Sequence, residues 1–90
     1  MIGKEIEAAL NKQISAEANS SHLYLAMASW AETRGFEGVS NFFYSQSDEE
    51  RQHMLKLVRY VNERGGHAKA PAVSEPSKMF DCLTHVFQNF

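Results

Sequence analysis

Two glutamates and one histidine have the residue types and the spacing of a metal site. Glu17 stands apart, and Glu50 and His53 form a Glu-x-x-His pair further along the chain. Residues three apart on an α-helix share a face, so Glu50 and His53 would point in the same direction. Two carboxylates and one imidazole suit iron or manganese, and zinc is a less favoured occupant. The three side chains therefore predict a site for a transition-metal ion.

The chain around Glu17 has the period of one long amphipathic helix, from about residue 4 to about residue 33. Steps of three and four residues place one face of it against the bundle. Glu17 falls on that face with Ile6, Leu10, Gln13, Ser20 or Ser21, Tyr24, Met27 and Ala31. No glycine or proline interrupts this stretch. At ~1.5 Å per residue the helix would be ~45 Å long, which is typical of a helical bundle.

A second helix is predicted from about residue 39 to about residue 64. The two glycines in Arg34-Gly35-Phe36-Glu37-Gly38 mark the turn before it, and Gly65-Gly66 marks its end. A short connection makes neighbouring helices antiparallel. Glu17 and Glu50 lie at similar distances before and after the turn, about eighteen and fifteen residues, so they would meet within about one helical turn.

The remaining chain predicts a crossover and an incomplete third helix. Residues 65–76 contain both prolines and lack a clear period, and residues 77–90 have apolar side chains on one side, ending at Phe90 in the middle of the pattern. We therefore expect one all-α domain over residues 1–90, a helical bundle that is truncated rather than finished. A domain of this length buries only ~60–65% of its unfolded surface, so association would stabilise it.

A metal site has to be weighed against simpler explanations. Glu-x-x-His occurs by chance on helices, and Glu50 lies in the charged run Asp48-Glu49-Glu50-Arg51, where it could be a solvated side chain. The apolar faces argue against this, because a carboxylate there is costly unless a positive charge compensates it. Glu49 could bind an additional ion or be a solvated charge.

Tyr24 lies two turns after Glu17 on the same face. It could hydrogen-bond a ligand carboxylate or donate an electron, or it could be a core tyrosine.

Composition excludes several classes of function. The net charge is −2, with 9 basic and 11 acidic residues, so the chain lacks the basic stripe of a nucleic-acid-binding protein. No apolar run is long enough to cross a membrane, and the N-terminus lacks the apolar core of a signal peptide. The one cysteine, Cys82, cannot form an internal disulfide, which is typical of a reducing, cytoplasmic location.

An ordered set of motifs closely resembles bacterial non-haem ferritins across essentially the whole chain. The motifs are Leu10-Asn11-x-Gln13, Glu17-Ala18-x-Ser20-Ser21-x-Leu23-Tyr24, Phe36-Glu37-Gly38 and Glu49-Glu50-x-x-His53-Met54. The resemblance implies a ferritin-like four-helix subunit that stores iron. Such subunits oxidise Fe(II) to Fe(III) with dioxygen at a di-iron ferroxidase centre, and twenty-four of them form a shell.

The same resemblance implies roles for individual residues. Glu17, Glu50 and His53 would bind the first iron, and Glu50 would bridge to the second. Tyr24 would lie beside the centre, and Glu49 would belong to an accessory iron position. Haem-carrying bacterioferritins have a methionine directly after the bridging glutamate; Arg51 stands there in this chain, which predicts no haem.

Length is the departure from the pattern, because the family's subunit is nearly twice as long and its later helices supply further ligands. Three hypotheses stay open. The chain is part of a ferroxidase subunit, or it is a half-ferritin like those packaged in encapsulin compartments, with its di-iron site completed at a two-fold dimer interface or in another even oligomer. Alternatively, it is a helical interaction module without chemistry.

Overall fold

A computed structural model describes residues 2–75, which form two long helices and an extended segment. Helix α1 is Lys4–Thr33 and helix α2 is Glu37–Glu63. The backbone N–H of Ile2 donates to the carbonyl of Arg64 at 2.7 Å, so the start of α1 lies beside the end of α2 and the helices are antiparallel. Residues 2–75 contain helices and no strand, which confirms the predicted all-α fold class. The partial helix predicted over residues 77–90 and Cys82 lie outside the described residues.

Both helices end with the same glycine motif. Gly35 has φ +79° and Gly65 has φ +83°, which are left-handed conformations that glycine adopts without a steric penalty. After α1, the N–H of Phe36 donates to Ala31 at 2.9 Å and that of Gly35 donates to Glu32 at 3.1 Å. These are the two hydrogen bonds of a Schellman cap, and they turn the chain sharply enough for α2 to fold back on α1.

Helix α2 begins at Glu37, two residues before the start that the glycines suggested. The N–H of Ser40 donates to the carbonyl of Phe36 at 2.9 Å, and the Ser40 hydroxyl donates to the carbonyl of Glu37 at 2.9 Å. Gly38 is therefore part of the first turn of α2.

The core lies along the contact between the two helices. Small and medium apolar side chains from α1 pack against larger ones from α2, and the buried set is Ile14, Ala18, Met27, Ala28, Ala31, Phe43 and Val61. Alanines let the helix backbones approach closely, and Phe43 fills the space beside Met27 and Ala28. The ring of Tyr24 lies 6.2 Å from that of Phe43, which extends this core toward the middle of the hairpin.

Residues 67–74 form an extended segment that lies alongside α1 and is hydrogen-bonded to side chains of that helix. Three carbonyl or carboxylate oxygens on α1 accept backbone N–H groups at 2.8–3.0 Å, in the pairs Glu7 with His67, Asn11 with Lys69 and Asn19 with Ser74. The segment therefore runs in the same direction as α1. Neither α1 nor α2 combines the length and the apolarity needed to cross a membrane.

Candidate metal centre

The middle of the hairpin brings Glu17 of α1 together with Glu50 and His53 of α2. One ligand atom from each of these side chains lies within 4.8 Å of the other two. Nδ1 of His53 is 3.8 Å from Oε2 of Glu17 and 3.8 Å from Oε2 of Glu50. The convergence has two causes. The i, i+3 spacing places Glu50 and His53 on one face of α2, and the turn at Gly35 places Glu17 opposite that face.

The three side chains differ in their exposure to solvent. The side chains of Glu17 and Glu50 are 17% and 21% exposed, and that of His53 is 49% exposed. The carboxylates are therefore largely covered, and the imidazole of His53 is the most accessible of the three side chains.

Oε2 of Glu17 is buried and has no hydrogen-bond partner among the described residues. Buried polar atoms in proteins are almost always satisfied, so an oxygen of this kind requires an explanation. Its separation of 3.8 Å from Nδ1 of His53 is too long for a hydrogen bond. Two metal–ligand bonds of ~2.0–2.2 Å each span such a gap. The residues present therefore fit a metal ion placed between the two atoms.

The two carboxyl groups perturb each other. A proton on the adjacent Glu50 carboxyl, shared with Glu17 through a hydrogen bond, lowers the pKa of Glu17. Burial raises this pKa, and Gln13 and His53 lower it further. The same contact with Glu17 raises the pKa of Glu50, and burial and the negative charge of Glu17 raise it further. Two neighbouring carboxyls without a cation tend to keep one proton between them. A bound cation would replace that proton and let both groups ionise.

Gln13 orients Glu17 from one turn earlier on α1. Its Nε2 donates to Oε1 of Glu17 at 2.9 Å. One oxygen of Glu17 is thereby held by the helix, and the other faces His53. The sequence pattern predicted that Gln13 lies on the same face as Glu17, but no role was predicted for it. The i, i+4 spacing of a glutamine and a carboxylate could have predicted this hydrogen bond.

Tyr24 lies close enough to Glu17 and Glu50 for their charges to shift the pKa of its phenol. Burial raises the pKa of the Tyr24 phenol, and the negative charges of Glu50 and Glu17 raise it further. The phenol therefore stays protonated and neutral at physiological pH. Glu49 points elsewhere: it is exposed, it accepts a hydrogen bond of 3.4 Å from Nε2 of Gln46, and it does not belong to the converging group.

Comparisons with known proteins bear on the whole chain. The family model described as "Ferritin-like domain" matches residues 7–90. A bacterial non-heme ferritin of Staphylococcus aureus is 39% identical over 89 residues, which are 99% of this chain and 54% of that protein. The corresponding protein of Staphylococcus saprophyticus is 37% identical, over 99% of this chain and 53% of its own length.

Solved structures give the same result. An open pore ferritin from the archaeon Archaeoglobus fulgidus superposes with a TM-score of 0.91 at 40% identity, over 99% of this chain and 55% of that one. A ferritin from Chlorobium tepidum gives 0.92 at 35% identity, with the same coverage of 99% and 55%. This chain thus spans about half the length of the relatives that it matches. The predicted resemblance is confirmed, and the chain belongs to the ferritin family.

Proposed function

We propose that this chain binds Fe(II) as a substrate and serves iron storage and detoxification by oxidising Fe(II) to Fe(III) at a di-iron ferroxidase site. The observation that carries the proposal is the convergence of Glu17, Glu50 and His53 around the unsatisfied Oε2 of Glu17. Ferritin-family membership supports iron as the metal. The donor set agrees, because two hard carboxylates and one imidazole suit Fe(II) and Fe(III).

Each of the three residues has a distinct part in this proposal. Oε2 of Glu17 and Nδ1 of His53 face each other across the gap that one ferrous ion would fill. Glu50 would contact that ion and bridge to a second one. The carboxylates lower the free energy of the product more than that of the substrate, because the interaction with negative charge grows as Fe(II) becomes Fe(III). Two ferrous ions together would give two electrons to one dioxygen molecule, which with two protons from water becomes hydrogen peroxide.

Tyr24 and Glu49 have secondary parts. The neutral phenol of Tyr24, within reach of the charges of Glu17 and Glu50, could supply a hydrogen bond or an electron beside the centre. Glu49, which is exposed next to the site, could accept an additional iron on its way in or out. No haem is part of the proposal.

A complete di-iron site requires more ligands than the described hairpin offers. Ferritin-like sites take a glutamate from each of two helices and a Glu-x-x-His motif from each of the other two. The side chain of His53 is half exposed, so the missing ligands would approach from its side of the hairpin. They would come from further helices of a longer subunit in a multi-subunit shell, or from a second copy of this hairpin related by a two-fold axis. In the second case, Glu17, Glu50 and His53 taken twice would make the full set.

The test is anaerobic Fe(II) binding followed by oxygen uptake, with mass in solution measured on the same samples. Glu50→Ala should abolish both binding and oxygen uptake, because it removes the ligand shared by the two ions. Glu63→Ala, an exposed glutamate near the end of the same helix, is the matched control and should behave as the unchanged protein.

Oxygen uptake that survives Glu50→Ala would refute the proposed site. A chain that binds no iron at any oligomeric state would instead be a helical interaction module. An even oligomer with about two irons per pair of chains would support the two-fold site, and this ratio follows from the ligand count of such sites. The cytoplasmic location expected from the sequence stays a prediction.

A further inference from the structure

Two serines join the helices through reciprocal hydrogen bonds. The hydroxyl of Ser21 on α1 donates to the backbone carbonyl of Ser47 on α2 at 2.7 Å. The hydroxyl of Ser47 donates to the carbonyl of Ser21 at 2.6 Å. The two Oγ atoms lie 3.1 Å apart. Each helix therefore bonds directly to the backbone of the other, which requires a close approach that only small side chains permit.

The serine pair lies one layer away from the ligands. Ser21 follows Glu17 by four residues on α1, and Ser47 precedes Glu50 by three residues on α2. These offsets correspond to rises of ~6 Å and ~4.5 Å along the helices. Because the helices are antiparallel, both offsets point toward the same end of the hairpin. The serine pair and the pair Glu17–Glu50 are thus neighbouring layers of the contact between α1 and α2.

Around the serine pair, the contact between the helices is mostly apolar and therefore weakly directional. Met27, Ala28 and Phe43 on one side and Ile14 and Ala18 on the other are buried, and the hydrophobic effect that favours their burial is non-directional. If α1 slid along α2 by one helical turn, ~5.4 Å, the displacement would exceed the 4.8 Å within which the three ligand atoms lie. Hydrogen bonds to backbone atoms, in contrast, are satisfied in one register only.

We infer that Ser21 and Ser47 are positioning residues of the metal centre: their reciprocal hydrogen bonds hold α1 and α2 in the register at which Glu17 meets Glu50 and His53. The inference rests on the proposed function, because it concerns the same site. It predicts that removing the two hydroxyls weakens metal binding although neither serine touches the ion.

The serine pair can be removed without leaving an unsatisfied group. Both carbonyls are inside helices and keep their intrahelical hydrogen bonds when the hydroxyls are lost. S21A/S47A therefore replaces a satisfied polar pair by an apolar one, a change that is often nearly neutral for stability. The double variant should fold, and its helix content should equal that of the unchanged protein.

The experiment titrates the intact protein with Co²⁺, a metal ion that keeps its oxidation state in air and reports its coordination by visible absorption. S21A/S47A should bind Co²⁺ about tenfold more weakly, as for other residues that orient metal ligands, and its visible band should change shape. S29A/S45A, which removes two exposed hydroxyls from the same helices, should leave both readouts unchanged. A purely structural serine pair would lower the unfolding temperature without changing the visible band.

An unchanged Co²⁺ affinity and band in S21A/S47A would overturn the inference. If the double variant does not fold, S21A and S47A are measured singly; each keeps one of the two hydrogen bonds and should show an intermediate affinity, and two unchanged single variants would reject the inference as well. Failure of the proposed function gives a different pattern, because the unchanged protein and Glu50→Ala would then bind Co²⁺ equally.

Discussion

Oε2 of Glu17 lies 3.8 Å from Nδ1 of His53, and it is buried without a hydrogen-bond partner among the described residues. Oε1 of the same carboxylate is held by Gln13 at 2.9 Å. In the Glu17 carboxylate, Oε1 is thus held in place by Gln13, and Oε2 faces His53. A cation between Oε2 of Glu17 and Nδ1 of His53 would give that oxygen a partner.

Replacing Glu50 with glutamine should stabilise the metal-free protein at neutral pH. Folding raises the pKa of Glu50, so its contribution to stability is present below its unfolded pKa and is lost as the pH rises through its folded pKa. Glutamine resembles the protonated form and remains beside Glu17 without a charge. We expect a gain of up to about 1 kcal/mol near pH 7, the scale of a partly exposed charge pair.

Urea unfolding of the metal-free proteins from pH 3 to pH 8 checks this expectation. The two stability curves should converge at acid pH, where Glu50 is protonated in both states, and separate as the pH rises. Glu63→Gln controls for the loss of one negative charge. Equal curves at neutral pH would mean that the two carboxylates do not repel each other in the folded protein.

Gln13→Ala should weaken metal binding and make it more sensitive to acid. The Gln13 amide lowers the pKa of Glu17, and a lower pKa keeps the carboxylate ionised as the pH falls. Loss of the amide moves the acid limit of binding to higher pH and lowers the affinity about tenfold, as expected for a partner that orients a ligand. Co²⁺ titrations at several pH values measure both effects. Gln52→Ala, an exposed glutamine on α2, should cause neither.

Tyr24→Phe should separate the two roles considered for this tyrosine. Phenylalanine keeps the packing against Phe43, so the free energy of unfolding and the affinity for Fe(II) should change little. If the phenol assists oxidation, the initial rate of Fe(III) formation, followed by rapid mixing with oxygen, falls severalfold. Tyr60→Phe, a change at an exposed position on α2, is the control. An unchanged rate would assign Tyr24 to the core alone.

Phe43→Ala tests which phenylalanine stabilises the hairpin. Phe43 is fully buried, and its neighbour Phe42 is 43% exposed. Truncation of a buried phenylalanine typically costs ~3–5 kcal/mol, which is a large part of the stability of a small domain. Phe42→Ala should cost much less. Comparable losses in urea unfolding would indicate that Phe42 is covered in the protein in solution.

The sequence predicted the helices better than the contact between them. The Schellman caps at Gly35 and Gly65 are local, so the glycines were sufficient to place the turn and the end of α2. Ile6 shows the limit of periodicity: it has the spacing of the apolar face, yet it is 58% exposed because α2 covers only part of that face. Glu17, Glu50 and His53 converge as their spacing predicted. Their ligand role stays a prediction.

What the sequence did not reveal depends on contacts between distant residues. Neither Ser21 nor Ser47 differs locally from any other helical serine, and only the register of the hairpin brings their hydroxyls together. The same holds for Asn11 and Asn19, whose partners are 58 and 55 residues away. The position of polar residues on a predicted contact face was the only sequence feature that pointed to these hydrogen bonds.

The hydrogen bonds along residues 67–74 have an evolutionary consequence. They connect side chains of α1 to the main chain of the segment, so the path of the segment is encoded by Glu7, Asn11 and Asn19. Every residue except proline has a main-chain N–H to offer. Substitutions within the segment can therefore accumulate without rerouting it, whereas a change at Asn11 would remove the hydrogen bonds that this side chain makes with His67 and Lys69. Related sequences should accordingly diverge more freely in this segment than at the three helix positions that guide it.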